Sequence, residues 1–386
     1  MTALTPEIQE LKQLTRDFAE REVMPIAQAL DSNDAEISPA LVGKMAEMGF
    51  FSVLASKEYG GLEYGAMGVA VVSEELSRAS LSVGSLPARN WLCGRILEKA
   101  GTPAQKAKWL PRMLAGELQT ASAGTEPEAG SDAANIKTKA VKQGDSYVLN
   151  GSKMWCTFAN RANVLFTYCR TSAEAKHGGI SLILVEKAPG DQFVPPQLTG
   201  NKIHTVGYHG MHTYQLFFDG LQVPQDNLLG GVEGFGFKQL MAGYEVVRVQ
   251  FSFRCIGLAQ AAYEAALEYA QQRVQFGQPI SKFQAIRHKL ADMAAHIEAA
   301  RQLGYLAAQK VDRGERADLE AGMAKLVASE MAQNVCREAV QVFGGNGFAL
   351  DQPVNRFWRD SALLSIGEGT SEIQRDVIAR RILGER

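Results

Sequence analysis

Three long, alanine-rich amphipathic runs in the second half of the chain constrain the fold most strongly. They read "RCIGLAQAAYEAALEYAQQRVQF", "QAIRHKLADMAAHIEAARQLGYLAAQKV" and "LEAGMAKLVASEMAQNVCREAVQVF". Apolar residues recur in each run at the spacing of a helix that buries one face. Such helices are stable when they pack against one another, so we predict a four-helix bundle over about residues 229–386.

The first section of the chain, about residues 1–118, also has a helical pattern. Its opening run places five apolar residues on one helix face: Ile8, Leu11, Leu14, Phe18 and Val23. The Thr5-Pro6 pair before this run is typical of a helix start, with a capping hydroxyl followed by a proline in the first turn.

The section between about residues 119 and 228 has the composition of β-strands. "ANVLFTYCR", "ISLILVEK" and "TYQLFFDG" are rich in β-branched and aromatic residues. In "SYVLNGSKMWCTF" the Asn150-Gly151 pair predicts a β-hairpin turn. No long helices alternate with these strands, which disfavours a parallel doubly wound sheet. We therefore predict an α+β, mostly α, protein: an N-terminal helical domain (1–118), a central antiparallel β domain (119–228) and a C-terminal four-helix bundle (229–386).

Charge, hydropathy and cysteine content narrow the functional classes. A formal net charge of −2 gives no reason to expect nucleic acid or an anionic membrane as a partner. The longest apolar stretches, such as "ISLILV", are far shorter than the about 20 residues of a transmembrane helix. The five scattered cysteines form no CxxC pair, and the first residues lack a signal-peptide pattern. We expect a cytoplasmic protein.

Two segments of the β section have residue types that suit a ligand. "ASAGTEPEAGSD" (121–132) combines small residues with hydroxyls, and its backbone N–H groups suit anionic or carbonyl oxygens; a plain turn-rich linker has the same composition. Trp155 and Thr157, two apart in a strand, are expected to present an aromatic face and a hydroxyl on one side. An isoalloxazine ring needs both, although a strand Trp is more often part of the core.

Two further motifs have structural as well as functional interpretations. "QVFGGNGF" ends a helix with a break in which Asn346-Gly347 can adopt positive φ, which suits either a close backbone approach to a ligand or an ordinary helix C-cap. His204, His209 and His212 match no common zinc spacing, so a polar loop is favoured over a metal site. We predict no metal site. No Rossmann or P-loop motif occurs.

A carboxylate flanked by glycines near the C-terminus is the strongest candidate for chemistry. In "SIGEGTSEIQRDVIARRIL", Glu368 stands between Gly367 and Gly369, just before an amphipathic run. Ser371, with Gln374 three residues later, predicts a capping box at the start of that helix. Glu368 therefore precedes a helix N-terminus on a backbone without flanking side chains, which suits a carboxylate that reaches into a cleft.

Five motifs in register resemble the acyl-CoA dehydrogenase family over essentially the whole chain. They are "TEPEAGSD", "GSKMWCT", "GLAQAAYEAALEYAQQRVQFGQPI", "QVFGGNGF" and "EGTSEIQRDVIAR", in the family's order and at similar intervals. Each motif alone is weakly specific, whereas the five together are highly specific. The resemblance implies the family's three-part fold and a homotetramer with one FAD per subunit.

The resemblance also implies roles for individual residues. The implied FAD contacts are Ser122, Gly124, Thr125, Gly130, Ser131, Trp155, Thr157, Arg273, Phe276, Gln284, Gln341, Gly344, Gly345, Thr370 and Glu372. Of these, the contacts from the segments around residues 273–284 and 341–345 are implied to cross a subunit boundary. The implied substrate contacts are Ser131 near the thioester, Glu245 and Arg248 on the CoA arm, and Gly369 against the thioester.

Glu368 matches the family's catalytic base, which removes the α-proton of an acyl thioester while a hydride leaves the β-carbon for flavin N5. In the family, the backbone N–H of this Glu and a flavin ribityl hydroxyl stabilise the charge that grows on the carbonyl oxygen. Some members carry the base on a bundle helix, at the position of Val247 here, which cannot serve. Glu245 is then the carboxylate to exclude.

Two departures from the family's pattern concern the substrate. Many straight-chain members have an aromatic residue directly before the base, whereas this chain has Gly367, which predicts room for short branched or ring-bearing acyl groups. Arg89 lies in a helix whose family counterpart closes the acyl pocket. It either binds an ω-carboxylate or, as charged residues mostly are, is solvated or ion-paired.

The resemblance thus predicts an FAD-dependent acyl-CoA dehydrogenase that passes electrons to an electron-transfer flavoprotein. Two alternatives predict other outcomes. One is a flavin enzyme of the same fold acting on a non-CoA or carrier-bound substrate by oxygenation or elimination. The other is a flavin-binding scaffold without turnover. A direct acyl-CoA oxidase is less favoured because such enzymes are usually much longer chains.

Overall fold

The structure, a computed structural model, describes residues 4–172, 176–241 and 243–385. Helices form its first section: α1 (Pro6–Phe18), α2 (Met24–Ser32), α3 (Pro39–Glu47), α4 (Gly65–Ala79), α5 (Leu81–Ala100) and α6 (Pro103–Leu114). A π-helical turn over 19–23 joins α1 to α2. The predicted start of α1 is confirmed, because the Thr5 hydroxyl accepts the N–H of Ile8 and Pro6 is the first helical residue.

The predicted buried face of the opening run is right at Ile8, Leu11 and Phe18 in α1 and at Val23 in the π-helical turn, and is wrong at Leu14. Leu14 is 48% exposed, whereas Thr15 is fully buried and its hydroxyl donates to the Leu11 carbonyl at 2.7 Å. The buried positions of α1 are 8, 11, 15 and 18. These positions follow helical spacing, and Leu14 lies at the edge of the stripe that they define.

A seven-stranded sheet follows, formed by β1 (Thr120–Ala123), β2 (Lys139–Gln143), β3 (Ser146–Thr157), β4 (Val164–Arg170), β5 (Ile180–Glu186), β6 (Leu198–Ile203) and β7 (Thr213–Pro224). The strand order is β1-β4-β2-β3-β7-β6, with β5 paired to β4. Most neighbours are antiparallel, as predicted, but β4 pairs in parallel with β1 and, at one residue pair, with β2. Among the described residues between β1 and β7, no long helix interrupts the sheet.

The hairpin predicted at Asn150-Gly151 is wrong. Both residues lie inside the continuous strand β3, at a register shift relative to β7. A Cβ at Gly151 would lie 2.7 Å from the Cα of Thr138, so glycine serves a close backbone approach at an irregular point of the strand. The actual turn between β2 and β3 contains Gly144, which has positive φ.

The C-terminal section consists of α7 (Gly236–Met241), α8 (Tyr244–Gln272), a small hairpin of β8 (Val274–Gln275) and β9 (Gln278–Pro279), α9 (Gln284–Asp312), α10 (Asp318–Phe343), α11 (Pro353–Ser361) and α12 (Ser371–Ile382). The three long helices predicted from periodicity are α8, α9 and α10. At the end of α10, Gly344 adopts positive φ rather than the predicted Asn346-Gly347 pair, and residues 344–348 form a 3-10 turn.

One hydrophobic core joins the N-terminal and C-terminal helices. It contains residues of α1, α4, α5, α8, α9 and α10. α4 and α8 pack so closely that a Cβ at Gly257 would lie 2.2 Å from the Glu74 carbonyl oxygen. A separate cluster packs α5 and α6 against β4 and β5. The amide of Asn90, on α5, bonds the carbonyls of Met113 and Leu118 and the hydroxyl of Thr120, which fixes α5 at the junction of helices and sheet.

Among the described residues no helix is long and apolar enough to span a bilayer. The five cysteines are buried and form no disulfide.

Candidate active site

Glu368 lies in the tight turn between α11 and α12, on left-handed backbone. Its φ is +54° and that of Gly369 is +89°. The positive φ of 369 favours glycine there, and a Cβ would lie 2.6 Å from Nε2 of Gln374 and displace that amide. Because non-glycine residues rarely adopt positive φ, the surrounding contacts must hold Glu368 in this conformation.

Two buried side chains hold this turn through its carbonyl groups. Nζ of Lys325, a fully buried residue of α10, donates to the Gly369 carbonyl at 2.7 Å. Nε2 of Gln374 donates to the same carbonyl at 3.2 Å and to that of Glu368 at 3.4 Å. The Glu368 backbone is therefore fixed from both α10 and α12.

The predicted capping box at Ser371 is wrong by one residue. The hydroxyl of Thr370 caps α12 by accepting the N–H of Ile373 at 3.3 Å. Thr370 has the extended backbone that a cap residue needs, with ψ of 163°, whereas Ser371 is already helical. The Gln374 side chain is engaged with the preceding turn.

The nearest basic neighbour of Glu368 is Arg89 of α5. Its Nη1 lies 4.0 Å from Oε1 of Glu368, beyond direct hydrogen-bond distance. The Arg89 side chain is only 17% exposed, so it is not a solvated surface arginine, and its Nε has no hydrogen-bond partner among the described residues. Burial would lower the pKa of Arg89, but the nearby Tyr208 and Glu368 raise it above its usual value.

A second buried arginine, Arg254 of α8, belongs to the same group. It is 2% exposed, and its Nη2 donates to the Tyr208 hydroxyl at 3.2 Å. Its guanidinium lies 4.9 Å from the ring of Phe251, and Nζ of Lys325 lies 5.2 Å from the same ring. Burial would raise the pKa of Tyr208, but Arg254 and Arg89 lower it below its usual value. Both arginines thus act on one buried phenol.

Gly367 leaves space beside Phe251 of α8. A Cβ at 367 would meet the Phe251 ring at 3.5 Å, an ordinary contact, and the φ of Gly367 is not positive. The backbone therefore does not require glycine at 367. A large side chain there would fill space next to Glu368.

The two residues predicted to contact the CoA arm lie at the start of α8. Arg248 is 8% exposed, its guanidinium lies 5.2 Å from the Tyr244 ring, and its Nε has no partner among the described residues. Burial lowers the pKa of Arg248. Glu245, the carboxylate to exclude as a base, accepts the backbone N–H of Ala317 at 3.3 Å, just before α10. Val247 is a buried apolar residue.

A buried ion pair fixes the 121–132 loop against β3. Nζ of Lys153, which is fully buried, lies 2.8 Å from the Glu126 carboxylate and donates to the Gly124 carbonyl at 3.0 Å. The carbonyl of Thr125 accepts the N–H of Met154 at 2.8 Å. Ser122 and Thr125 remain half-buried, while Gly130 and Ser131 are exposed.

Trp155 follows this clamp directly and is 54% exposed, with a positive φ of +60°. The strand register shifts between Lys153 and Cys156. Simple alternation, from which Trp155 and Thr157 were predicted to share a face, is therefore interrupted at this point. The half-buried Thr157 has its hydroxyl 3.4 Å from that of Thr213.

Thr370 and Glu372 adjoin Glu368 at the start of α12. The other predicted FAD contacts, around residues 273–284 and 341–345, form a second group near the end of α8, far from Glu368 on the same chain. α8 has 29 residues and is therefore about 43 Å long, with Arg248 near its start and Arg273 just beyond its end. Phe276, at the tip of the β8–β9 hairpin, is 94% exposed. Gln284 and Gln341 are also exposed, as are Gly344 and Gly345, where a Cβ would meet nothing within 4 Å. One chain does not bring this group to Glu368.

The histidine-rich loop has structural contacts. His209 Nδ1 lies 3.0 Å from the Asp31 carboxylate, and His212 lies 3.2 Å from Glu36 and from Asp34. These contacts attach the loop before β7 to the N-terminal helices. Within the described residues, no group of three or more His, Cys, Asp or Glu side chains is arranged to hold a metal ion.

Comparison with known families accounts for this three-part arrangement. The N-terminal, middle and C-terminal domain models of the acyl-CoA dehydrogenase family match residues 5–117, 121–221 and 234–383. The chain belongs to the acyl-CoA dehydrogenase family. Its members are FAD-dependent oxidoreductases, and the predicted enzyme class, fold and cofactor are confirmed at this level.

Individual relatives cover nearly the whole chain. (2S)-Methylsuccinyl-CoA dehydrogenase of Cereibacter sphaeroides is 44% identical over an alignment of 386 positions that covers 99% of this chain and 70% of the relative. Butyryl-CoA dehydrogenase from Megasphaera elsdenii has a TM-score of 0.93 at 35% identity and covers 99% of this chain and 100% of its own. A glutaryl-CoA dehydrogenase in complex with glutaryl-CoA has a TM-score of 0.94 at 32% identity, covering 100% and 97%.

The surfaces predicted to hold FAD fit a flat aromatic cofactor. Globular chains usually bury tryptophan and phenylalanine, yet Trp155 and Phe276 are 54% and 94% exposed. Gly130, Gly344 and Gly345 leave open space above the backbone. These exposed aromatic faces and open backbone surfaces fit a flat aromatic cofactor.

Sequence reasoning missed the residues that support the site: Glu126, Lys153, Tyr208, Arg254 and Lys325. Three of them carry a signal, since Lys153, Arg254 and Lys325 are cations inside otherwise apolar strand or helix runs. Lysine and arginine are almost never fully buried without a specific role. Which group each cation faces depends on tertiary contacts and cannot be read from the pattern.

Proposed function

We propose that the protein desaturates an acyl-CoA thioester between its α- and β-carbons, with Glu368 as the catalytic base. The proposal rests on one observation in this member of the family. Lys325 and Gln374 both donate hydrogen bonds to the Gly369 carbonyl and so fix the turn that carries Glu368. A base fixed in this way is poised for proton abstraction, where small displacements cost large factors in rate.

Every proton and electron pair of the proposed reaction has a named destination. The Glu368 carboxylate takes the α-proton, the released electron pair forms the Cα=Cβ bond, and a hydride leaves the β-carbon. FAD, when bound, supplies the acceptor for that hydride. Glu368 later returns its proton to solvent. The backbone N–H of Glu368 is proposed to stabilise negative charge on the thioester carbonyl.

Further residues bind and orient the two partners. Arg248, with an unpaired Nε, and Glu245 are proposed to contact the CoA arm. The 121–132 loop, Trp155 and Thr157 are proposed to hold the flavin ring, and Thr370 and Glu372 to contact FAD beside the base. We propose a homotetramer in which the exposed group around Phe276 contacts the FAD of a neighbouring subunit. An electron-transfer flavoprotein is the proposed acceptor.

An anaerobic thioester panel tests this proposal. Neutral butyryl- and isovaleryl-CoA and the carboxylated methylsuccinyl- and glutaryl-CoA are mixed with the FAD-loaded protein, and loss of flavin absorbance is followed with product analysis. We expect at least one CoA thioester to bleach the flavin and yield its enoyl-CoA. The same acyl groups are also offered on acyl carrier protein. Bleaching only by these carrier-bound thioesters would contradict the CoA assignment, and no bleaching by any thioester would favour a scaffold.

A further inference from the structure

The side chains around Glu368 carry an excess of buried positive charge. Arg89 and Lys325 lie beside the Glu368 turn, Arg254 bonds the Tyr208 hydroxyl, and the partners of all three cations are neutral or distant. Lys325 bonds a carbonyl, Arg254 bonds a phenol, and Arg89 reaches the Glu368 carboxylate only at 4.0 Å. Among the described residues, Arg254 and Lys325 have no carboxylate within 4.0 Å, and the Nε atoms of both arginines are unpaired.

Some cations of the interior pair directly with a carboxylate, whereas the buried Lys187, Arg248 and Arg356 have no carboxylate within 4.0 Å among the described residues. Lys153 lies 2.8 Å from Glu126, and Arg301 lies 3.1 Å from Glu74. A buried charge without a partner is costly, so an uncompensated cation beside the reacting carbons is a candidate binding group for an anion. The ammonium group of Lys325 stabilises the turn at Glu368 and Gly369 by bonding the Gly369 carbonyl. Arg89 and Arg254 have no comparable structural role. Both act on the Tyr208 phenol, whose hydrogen bonding does not require two full positive charges.

The position of Arg89 limits where such an anion sits. A base acts on a carbon within about 3.5 Å, and arginine binds carboxylate at about 2.8 Å. Since Nη1 of Arg89 is 4.0 Å from the Glu368 carboxylate, an anion that it binds lies close to the reacting carbons. At about 1.5 Å per carbon–carbon bond, this places a carboxylate on the β- or γ-carbon of a short acyl group.

We infer that the enzyme selects short acyl-CoA thioesters whose acyl group carries a second carboxylate, and that Arg89 binds this carboxylate. The inference rests on the proposed desaturation and names its substrate class. Arg254, held by the Tyr208 hydroxyl and the Phe251 ring, is a second positive charge on the phenol that Arg89 also approaches. Gly367 leaves the room for a substituent beside the base. Arginine suits this role because its planar fork can bind a carboxylate through two parallel bonds.

A charge-matched substrate pair tests the inference. The value of kcat/KM is measured for (2S)-methylsuccinyl-CoA and for the analogue in which its free carboxylate is a carboxamide of the same shape. We expect wild type to prefer the acid by at least about 100-fold, as for a charge pair that loses one partner inside a protein. Arg89→Met should abolish most of this preference, Arg89→Lys should restore part of it, and the exposed control Arg112→Met should retain it.

Binding of the corresponding enoyl product and its amide, measured by calorimetry, makes the test independent of turnover. FAD content and thermal midpoint identify variants that fail to fold, and the wild-type comparison needs no variant. Equal use and equal binding of acid and amide by wild type would overturn the inference while leaving desaturation intact. An equal effect of Arg89→Met on the kcat/KM values of the acid and the carboxamide would also overturn the inference. If no thioester bleaches the flavin, the proposed function fails, and the binding preference still decides the inference.

Discussion

Replacing Lys325 by methionine tests whether the turn that carries Glu368 is held from α10. The substitution removes the 2.7 Å donor to the Gly369 carbonyl and keeps a side chain of similar length in a fully buried position. Hydrogen bonds from charged groups contribute about 1.5–3 kcal/mol. Burial lowers the pKa of Lys325, which means that desolvating the ammonium already offsets part of this gain. We therefore expect the free energy of unfolding to fall by about 1 kcal/mol.

The catalytic effect of Lys325→Met should exceed its effect on stability. With only the 3.2 Å bond from Gln374 left on that carbonyl, the base loses its fixed position. A rise of about 1.4–2 kcal/mol in the barrier gives a 10- to 30-fold fall in the rate of flavin reduction. FAD content should be unchanged.

Anaerobic stopped-flow measurement of flavin reduction at saturating thioester is the assay. Gln374→Leu, which removes the longer neutral bonds, should slow reduction by about 3-fold, and the partly exposed Lys310→Met should leave it at the wild-type value. Reduction by Lys325→Met at the wild-type rate would refute the idea that α10 positions the base.

Two further predictions concern the turn and the pH dependence of stability. Gly369→Ala should lower flavin reduction at least about 10-fold with FAD retained, because alanine is strained at φ +89° and would crowd Gln374; wild-type kinetics would contradict this. Burial would raise the pKa of Glu36, but hydrogen bonds from His212 and other side chains hold it at about 2, so its contribution is present above about pH 4.5 and is lost as pH falls towards 2. Allowing for solvent screening, Glu36→Gln should cost about 2 kcal/mol of unfolding free energy at pH 7 and progressively less below pH 4.5, as measured by urea denaturation of both proteins across pH. A pH-independent difference would contradict this assignment.

The long helices were predictable from sequence because their stability depends on one repeating apolar face. The periodicity of α8, α9 and α10 is local information, and it gave their place in the chain. The Asn150-Gly151 hairpin was wrong because the same two letters serve a turn or a strand irregularity, depending on what packs against the glycine. Only the tertiary contact with Thr138 decides between them.

The candidate site likewise contains residues that the sequence identifies and residues that only the folded structure identifies. Glu368 and its glycine neighbours stand out in the sequence because an isolated carboxylate between glycines has a local backbone signature. Lys325 lies more than forty residues away in the chain, and its bond to Gly369 exists only in the folded structure. The approach of Arg89 and Arg254 to one phenol likewise depends on three separate elements, which no spacing rule connects.

The central claim is that the carboxylate of Glu368 removes the α-proton. Glu368→Gln keeps the shape of the side chain and removes its basicity, so it tests this claim most directly. With the best thioester of the panel, we expect flavin reduction to slow by about 100- to 10,000-fold, the usual contribution of a positioned base, while FAD content and thioester binding stay at wild-type levels. Flavin reduction by Glu368→Gln at the wild-type rate would contradict the account.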